Sequence, residues 1–180
     1  MDRENVIFLD FDGVINNNME DVTLTCVILL KNIIKKYNAK VVVISSILGN
    51  GTNKKKKNIT VFLNNLGIYN IDFINPNLEG DIYNKKILPR LVGIIDYLRK
   101  HPNINYLIID DEFESDYQLL GFNHLKTEMW EGLKCKDYYK ISFEEADLEC
   151  LKEIIYENRE LTEEEKVMNN LINVLKLIKK

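Results

Sequence analysis

The stretch VIFLDFDGVI, residues 6–15, decides the fold class of this chain. Its first four residues form a short apolar run that predicts a buried strand, and this strand ends at Asp10. Asp12 and Gly13 follow as turn signals. In parallel α/β sheets, polar groups that follow buried strands collect at one edge, where ligands bind. The stretch therefore predicts both a parallel sheet and the edge at which a functional site lies.

The same pattern of an apolar run followed by polar residues returns along the chain. Residues 40–44 end at Ser45 and Ser46, and residues 106–109 end at Asp110 and Asp111. The predicted strands are residues 6–9, 40–44, 71–74, 106–109 and 123–126, and the predicted helices lie near residues 23–37, 58–66, 89–100, 142–155 and 161–180. Strands that alternate with helices predict an α/β fold around a mostly parallel, five-stranded sheet.

The acidic residues that follow the strands point to a metal site. Asp10, Asp12, Asp110 and Asp111 should meet at the carboxyl edge of the sheet, because parallel strands place their ends on the same side. Four carboxylates at one place repel each other unless a cation is present. Ligands that are all oxygen favour a hard ion, so we expect Mg²⁺.

Four short motifs give the chain a resemblance to haloacid dehalogenase-like (HAD) phosphohydrolases. The run Phe8–Ile15 resembles the first motif of that superfamily, and a strand that ends in Ser45 resembles the second. The third is a basic residue at the start of a helix, where Arg90 lies, and the fourth is a strand that ends in the Asp110–Asp111 pair. Over roughly residues 5–155 the chain is similar to the HAD domain of Swiss army knife RNA-repair proteins. The resemblance implies a Rossmann-like three-layer sandwich.

The resemblance also implies a role for each catalytic residue. Asp10 would be the nucleophile that forms an aspartyl-phosphate, and Asp12 would act as general acid and base. Arg90 would offset negative charge on the nucleophile and the phosphate. Lys85 and Lys86, just upstream, are alternatives for that position.

Phosphate and metal ligands follow from the same resemblance. Ser45 and the backbone N–H of Ser46 would bind phosphoryl oxygens, and Gly13 is also expected to contact the substrate. Mg²⁺ would be held by Asp10, the backbone carbonyl of Asp12, Asp110 and Asp111.

The room for a cap over this site is small. About ten residues lie between Asp12 and the first long helix, enough for a flap, and the segment between Ser45 and Arg90 must also supply a helix and a strand. We therefore expect a capless or minimally capped enzyme with an open site, suited to nucleic-acid ends or phosphoproteins. Small phosphomonoesters stay possible substrates. The lysine run at residues 54–57 is expected to be a solvated loop rather than a polyanion site.

Composition sets the remaining expectations. The chain has 180 residues, 46% of them hydrophobic, and a net charge of −4, which fits one globular domain and argues against a general nucleic-acid-coating protein. Three widely spaced cysteines and the polar N-terminus predict a cytoplasmic protein without a disulfide framework or membrane span. We expect a single domain over residues 1–180, in which residues 161–180 form a helical extension that packs on the core or contacts a second copy or another partner.

Two functions of other classes compete with a phosphatase. One is a non-catalytic HAD-like binding module, which would leave the acidic residues without a purpose. The other is a phosphoryl-transfer regulator of the receiver type, for which the spacing of Asp10 and Asp12 and the position of Arg90 fit less well.

Overall fold

A computed structural model of the chain describes residues 3–16, 21–82, 85–86, 88–147, 151 and 155–156. The elements in chain order are β1 Glu4–Leu9, α1 Leu24–Tyr37, β2 Ala39–Val43, a 3₁₀ turn Ser46–Leu48, α2 Asn53–Asn65, β3 Ile71–Phe73, β4 Gly80–Ile82, β5 Lys85–Lys86, α3 Pro89–Lys100, β6 Ile104–Asp110, α4 Glu114–Leu119, β7 His124–Lys126, α5 Cys135–Tyr138, β8 Glu144–Glu145 and β9 Ile155–Tyr156.

The main sheet has the strand order β3-β2-β1-β6-β7, and these five strands are parallel. The short strand β8 adds to β6 in the antiparallel sense. β1 lies at the centre, and Val6, Ile7, Phe8 and Leu9 are completely buried, as expected for a strand covered on both faces. The predicted α/β fold with a mostly parallel central sheet, flanked by helices, is confirmed.

The direction of winding reverses at β1. From β1 the chain moves outward through α1 to β2 and through α2 to β3, whereas α3 leads back past β1 to β6. Because crossovers between parallel strands are right-handed, this reversal puts α1 and α2 on one face of the sheet and α3 on the other. Sheets of this kind bind ligands where the winding reverses, which here is the gap beyond the carboxyl ends of β1 and β6.

The helix α2 begins earlier than the sequence indicated. It starts at Asn53 rather than near residue 58, so the lysine run at residues 54–57 forms its first turns and is not a loop. The hydroxyl of Thr52 caps the helix by accepting a hydrogen bond from the Lys55 backbone N–H. This cap and the burial of Ile59 hold the turn, although four cations at a helix N-terminus oppose the helix dipole.

The segment after residue 141 also differs from expectation. Ser142 and Glu145 match a capping box, which predicts a helix, but residues 144 and 145 form β8 instead. Ile141 and Phe143 point to the core from alternate positions, and the Phe143 ring contacts that of Tyr37 with centroids 5.0 Å apart. This period of two is that of a strand.

A second, smaller sheet includes residues between β3 and α3, where the sequence predicts no strand. Its order is β5-β4-β9 with antiparallel pairing, and β4 and β5 come from the segment between β3 and α3. The described residues of the two insertion segments form no separate cap domain. The helical extension predicted for residues 161–180 lies outside the described residues. Among the helices that the structure describes, none has the length and apolarity to cross a membrane.

Candidate active site

The carboxyl ends of β1 and β6 bring acidic residues side by side. The two strands are parallel neighbours with Leu9 opposite Ile109, so Asp10 and Asp110 follow at the same edge. Asp111 comes next, and one carboxylate oxygen from each of the three aspartates lies within 4.8 Å of the other two. Asp10, Asp110 and Asp111 therefore form one group, called here the aspartate cluster.

Arg90 closes the cluster from the helix side. It lies in the first turn of α3, which Pro89 starts with its fixed φ. Its Nη1 is 2.6 Å from Asp110 Oδ2 and 3.2 Å from Asp10 Oδ2, and its guanidinium stacks on the ring of Phe113 at 4.9 Å from the centroid. Burial alone would lower the pKa of Arg90, but the charges of Asp10 and Asp110 outweigh it and raise that pKa above its usual range. Arg90 thus stays charged and ties both strand ends together.

The alternatives for this basic position were Lys85 and Lys86. Their backbone forms β5, whereas their side chains lie outside the described part of the chain. Arg90 is the basic residue that the structure places on the aspartate cluster.

Asp110 is held by protein groups on both of its oxygens. Besides Arg90, the hydroxyl of Tyr117 donates to Asp110 Oδ2 over 2.7 Å, and the backbone N–H of Glu112 donates to Oδ1 over 2.9 Å. His124 Nε2 lies 3.0 Å from the Asp110 carbonyl oxygen. Burial, followed by the charge of Asp110, raises the pKa of Tyr117 above its usual range, so that hydroxyl keeps its proton and donates. Asp110 is therefore fixed in place.

Asp10 has the opposite character. Its Oδ1 is buried and accepts no hydrogen bond from any residue that the structure describes. Burial is the largest cause that raises the pKa of Asp10 to about 6; Arg90 lowers it and Asp110 raises it further. The pKa of Asp111 is also raised to about 6, first by burial and then by the charges of Asp10 and Asp110. Two carboxyl groups that resist ionisation beside each other are a site that gains from a bound cation.

The aspartate cluster fits a hard divalent cation such as Mg²⁺. All of its ligands are oxygen atoms, one of them buried without a partner among the described residues, and no thiol belongs to the cluster. Asp10 and Asp111 have the free coordinating capacity, whereas Asp110 already accepts three hydrogen bonds. The carboxylate of Asp12, two positions after Asp10 in the chain, lies outside the cluster.

Gly13 is packed directly against the cluster. Its φ is +65°, and a Cβ on it would lie 2.4 Å from the Cγ of Asp111. The Gly13 carbonyl accepts a hydrogen bond of 2.6 Å from the buried hydroxyl of Thr127, while its N–H donates to Asn16 Oδ1. Only glycine allows this turn to lie so close to the Asp111 side chain.

Asp12 faces a cavity on the other side of the turn. Its Oδ1 accepts a hydrogen bond of 2.9 Å from Asn16 Nδ2. An antiparallel bridge pairs Asn16 with Val22 here, and Asn16, Asp21 and Val22 are together called the flap. A cavity of about 690 Å³ lies between the flap, the 3₁₀ turn and α2. This flap cavity is lined by residues that include Phe11, Asp12, Asp21, Ile47, Lys55 and Phe62.

Ser45 and Ser46 lie on the remaining side. Together with Arg90 they line a cavity of about 210 Å³, which has room for a phosphoryl group. Ser45 is buried, its Oγ lies 3.5 Å from the Ile47 N–H, and its side chain lowers the pKa of its neighbour Asp10. Ser45 and Ser46 thus line a cavity separate from the flap cavity, and the 3₁₀ turn that begins at Ser46 lies between the two.

A further cavity of the described molecule lies away from this site. It measures about 850 Å³ and is lined by Arg3, Asn5, Asn38 and Tyr69 among others, near the amino ends of the central strands. It therefore takes no part in the aspartate cluster.

Several residues of this site were not predicted from the sequence. Tyr117, Asn16 and Thr127 bond to predicted site residues although no role was predicted for them, and Phe113 supports Arg90 from a left-handed backbone position with φ of +55°. No signal in the sequence indicated the contacts of Tyr117, Thr127 and Phe113, because each depends on how a later segment of the chain folds back over the strand ends.

This site combines an aspartate cluster at the strand ends of a doubly wound sheet with a basic residue from the helix that precedes β6. Such an arrangement is typical of the HAD-like class. The family described as the HAD domain in Swiss Army Knife RNA repair proteins matches residues 6–138. The chain belongs to this family, as the sequence motifs predicted, and membership indicates a phosphohydrolase-type function. No curated protein and no solved structure matches the chain.

Proposed function

We propose that the protein is a Mg²⁺-dependent phosphomonoester hydrolase that acts through an aspartyl-phosphate on Asp10. The observation that carries this proposal is the meeting of Asp10, whose Oδ1 is unpartnered among the described residues, with Arg90, Asp110 and Asp111 at one edge of the sheet. A family described by its place in RNA repair proteins favours phosphorylated nucleic-acid ends as substrates. The absence of a cap domain from the described residues leaves room for such large molecules.

The proposed reaction has two steps. Asp10 attacks phosphorus, the bond from phosphorus to the ester oxygen breaks, and Asp12 gives its proton to that departing oxygen. Water then gives a proton to Asp12 and attacks the same phosphorus, which releases inorganic phosphate and restores Asp10. Each bond broken is matched by one formed, and Asp12 ends in the protonation state in which it began.

The other residues supply charge and position. Arg90 and Ser45 face the cavity next to Asp10 and would bind phosphoryl oxygens there. Asp10 and Asp111, with the Asp12 carbonyl, would hold Mg²⁺, and Asp110 would keep Arg90 in place. When bound, the metal supplies positive charge that offsets the cluster and the charge that develops on the phosphoryl group.

The test is hydrolysis of p-nitrophenyl phosphate in Mg²⁺. We expect Asp10→Asn to abolish phosphate release and beryllium fluoride, which mimics a phosphoryl group on aspartate, to inhibit the unaltered protein. Glu145→Gln removes an exposed carboxylate near the start of β6 and should keep full activity. Full activity in Asp10→Asn would remove the mechanism. A folded protein that binds phosphorylated compounds but hydrolyses none would instead favour the non-catalytic binding module.

A further inference from the structure

The flap cavity lies on the side of the site from which the leaving group must depart. Asp12 lines it, and in the proposed reaction Asp12 gives its proton to the departing oxygen. The phosphoryl ligands Ser45 and Arg90 line a different cavity. In that reaction the alcohol portion of the substrate would lie in the flap cavity, so the side chains that line this cavity indicate its chemistry.

One wall of the flap cavity is aromatic. The rings of Phe11 and Phe62 lie with centroids 5.9 Å apart and an angle of 43° between their planes. Ile47 also lines the cavity and is 52% exposed, and Phe62 is 36% exposed, whereas Phe11 is only 4% exposed and packs against the Phe62 ring. Large apolar side chains open to solvent at a cavity suit a flat, apolar group such as a nucleobase.

The charged groups of the cavity are on separate walls. Asp12 and Asp21 belong to the turn and the flap, whereas Lys55 belongs to α2. The Lys55 ammonium lies over Gly49, where a Cβ would be 2.3 Å from Nζ, so it is close to the end of the 3₁₀ turn that begins at Ser46. Lys55 forms no ion pair with any of the residues described. The α2 wall thus offers an unpaired cation to an anionic ligand.

We propose that the flap cavity binds the leaving nucleoside of the substrate, with its base against Phe62, which Phe11 supports, and a second phosphate group on Lys55. The substrate is then a nucleoside that carries two phosphate groups at different positions, or the equivalent strand end in which the second group is the adjoining phosphodiester. This inference rests on the proposed function and narrows its substrate class. The aromatic wall selects the base, and Lys55 selects a nucleotide of this kind over a nucleoside monophosphate.

Lys55 is tested by a ratio of specificities. We compare kcat/KM for adenosine 3′,5′-bisphosphate with the values for adenosine 3′-monophosphate and 5′-monophosphate. The unaltered protein should prefer the bisphosphate by about 10-fold, the size expected for one charged contact. Lys55→Gln should bring this ratio close to unity. Lys57→Gln, an exposed lysine of the same helix that does not line the cavity, should keep it.

The aromatic wall is tested in the same way. Phe62→Ala should reduce the preference for adenosine 5′-monophosphate over ribose 5-phosphate, which lacks a base, by about 5- to 10-fold. Val61→Ala, at an exposed neighbouring position outside the cavity, should leave that preference unchanged. A preference for a phosphotyrosine peptide over every adenosine phosphate would overturn the proposal, as would an unchanged bisphosphate ratio in Lys55→Gln.

Binding separates this inference from the proposed function. Equilibrium binding of adenosine 3′,5′-bisphosphate to Asp10→Asn protein needs no turnover. A Kd about 10-fold weaker when Lys55→Gln is added supports the cavity assignment, even if no compound is hydrolysed and the phosphatase proposal fails. Equal Kd values in the two variants, with hydrolysis retained in the unaltered protein, would overturn the cavity assignment alone.

Discussion

Asp110 and Asp111 are adjacent in the chain, yet their surroundings give them different capacities. Asp110 is completely buried and accepts hydrogen bonds from Arg90, Tyr117 and the Glu112 backbone. Asp111 is partly exposed and pairs with no cationic side chain among the described residues. Under the proposed function, Asp110 is therefore a positioning residue for Arg90, and Asp111 is the neighbour available to a cation.

Tyr117→Phe tests the positioning role of Asp110, at a residue that belongs to none of the sequence motifs. The substitution removes one donor from Asp110 Oδ2, so Arg90 should lose part of its constraint. We expect kcat for p-nitrophenyl phosphate to fall about 10-fold with KM little changed, and the free energy of unfolding to fall by about 1–2 kcal/mol. Steady-state kinetics and urea unfolding measure the two effects.

Tyr106→Phe is the matched control for Tyr117→Phe. Tyr106 is also buried, and its hydroxyl accepts a hydrogen bond of 3.2 Å from the Asn123 N–H, away from the cluster. It should destabilise the protein by a similar amount and leave kcat unchanged. Equal losses of kcat in both variants would contradict a positioning role for Tyr117.

The site residues that the sequence predicted share one property. Asp10, Ser45 and Asp110 follow or end strands, and the rule that parallel strands end on one side places them together without further information. Tyr117 was not predictable in this way, because its contact needs α4 to fold back over the end of β6. That fold-back begins at Phe113 with a positive φ, which is uncommon for a bulky residue and carries no sequence signal.

Among the elements, the turn after β1 is the most constrained. Gly13→Ala should lower the free energy of unfolding for two reasons. The φ of Gly13 is +65°, and a Cβ there would lie 2.4 Å from the Asp111 Cγ. Gly121→Ala separates these causes, since Gly121 has φ of +64° but a Cβ there would meet nothing within 4 Å. We expect Gly121→Ala to cost about 1 kcal/mol and Gly13→Ala at least about 2 kcal/mol more.

Chemical unfolding and phosphatase assays check the Gly13 prediction. Because the added methyl group displaces Asp111, Gly13→Ala should also lose activity, whereas Gly121→Ala should keep it. A similar stability for the two variants would show that Asp111 moves aside at little cost, and that the turn is less tightly fitted than the distances indicate.

Element boundaries were predicted less well than element types, for physical reasons. Continuous apolar runs predict the strands β1, β2 and β6, because these strands are buried on both faces. The start of α2 was missed because four lysines disfavour a helix N-terminus, and the Thr52 cap with the burial of Ile59 outweighs them. Residues 142–145 matched a capping box, but packing of the flanking apolar residues makes them a strand.

At the scale of the whole molecule, one edge of the sheet carries more negative than positive charge, because the three aspartates of the cluster share one cationic partner, Arg90. The pKa values of Asp10 and Asp111 are each raised to about 6, from about 3.8 for a free aspartate. Between these values the folded protein binds more protons than the unfolded chain, so its stability is greatest near the lower value and falls as the pH rises through 6. A bound divalent cation should remove this loss.

Thermal unfolding tests this linkage between pH and metal. In EDTA, the melting temperature should fall by several degrees from about pH 5 to about pH 7, at roughly 2–4 °C for each kcal/mol of lost stability. In Mg²⁺ the fall should be reduced or absent, because the cation stabilises the ionised carboxylates of the folded state. Asp72 and Glu114, whose pKa values are lowered, lose their partners only at lower pH and oppose this trend outside the window. Burial lowers the pKa of His124, which opposes the trend within the window, and we expect the two aspartates together to outweigh this single histidine.

Asp111→Asn assigns the effect to the cluster. The amide removes one of the two carboxyl groups with a raised pKa. In EDTA this variant should therefore be more stable than the unaltered protein near pH 7, and its melting temperature should depend less on pH. Its response to Mg²⁺ should shrink as well, whereas Glu145→Gln, which removes an exposed carboxylate that pairs with Arg3 away from the cluster, should keep both responses. A metal-free protein whose stability rises from pH 5 to pH 7 would contradict the raised pKa values. An Asp111→Asn variant with an unchanged Mg²⁺ response would place the cation elsewhere.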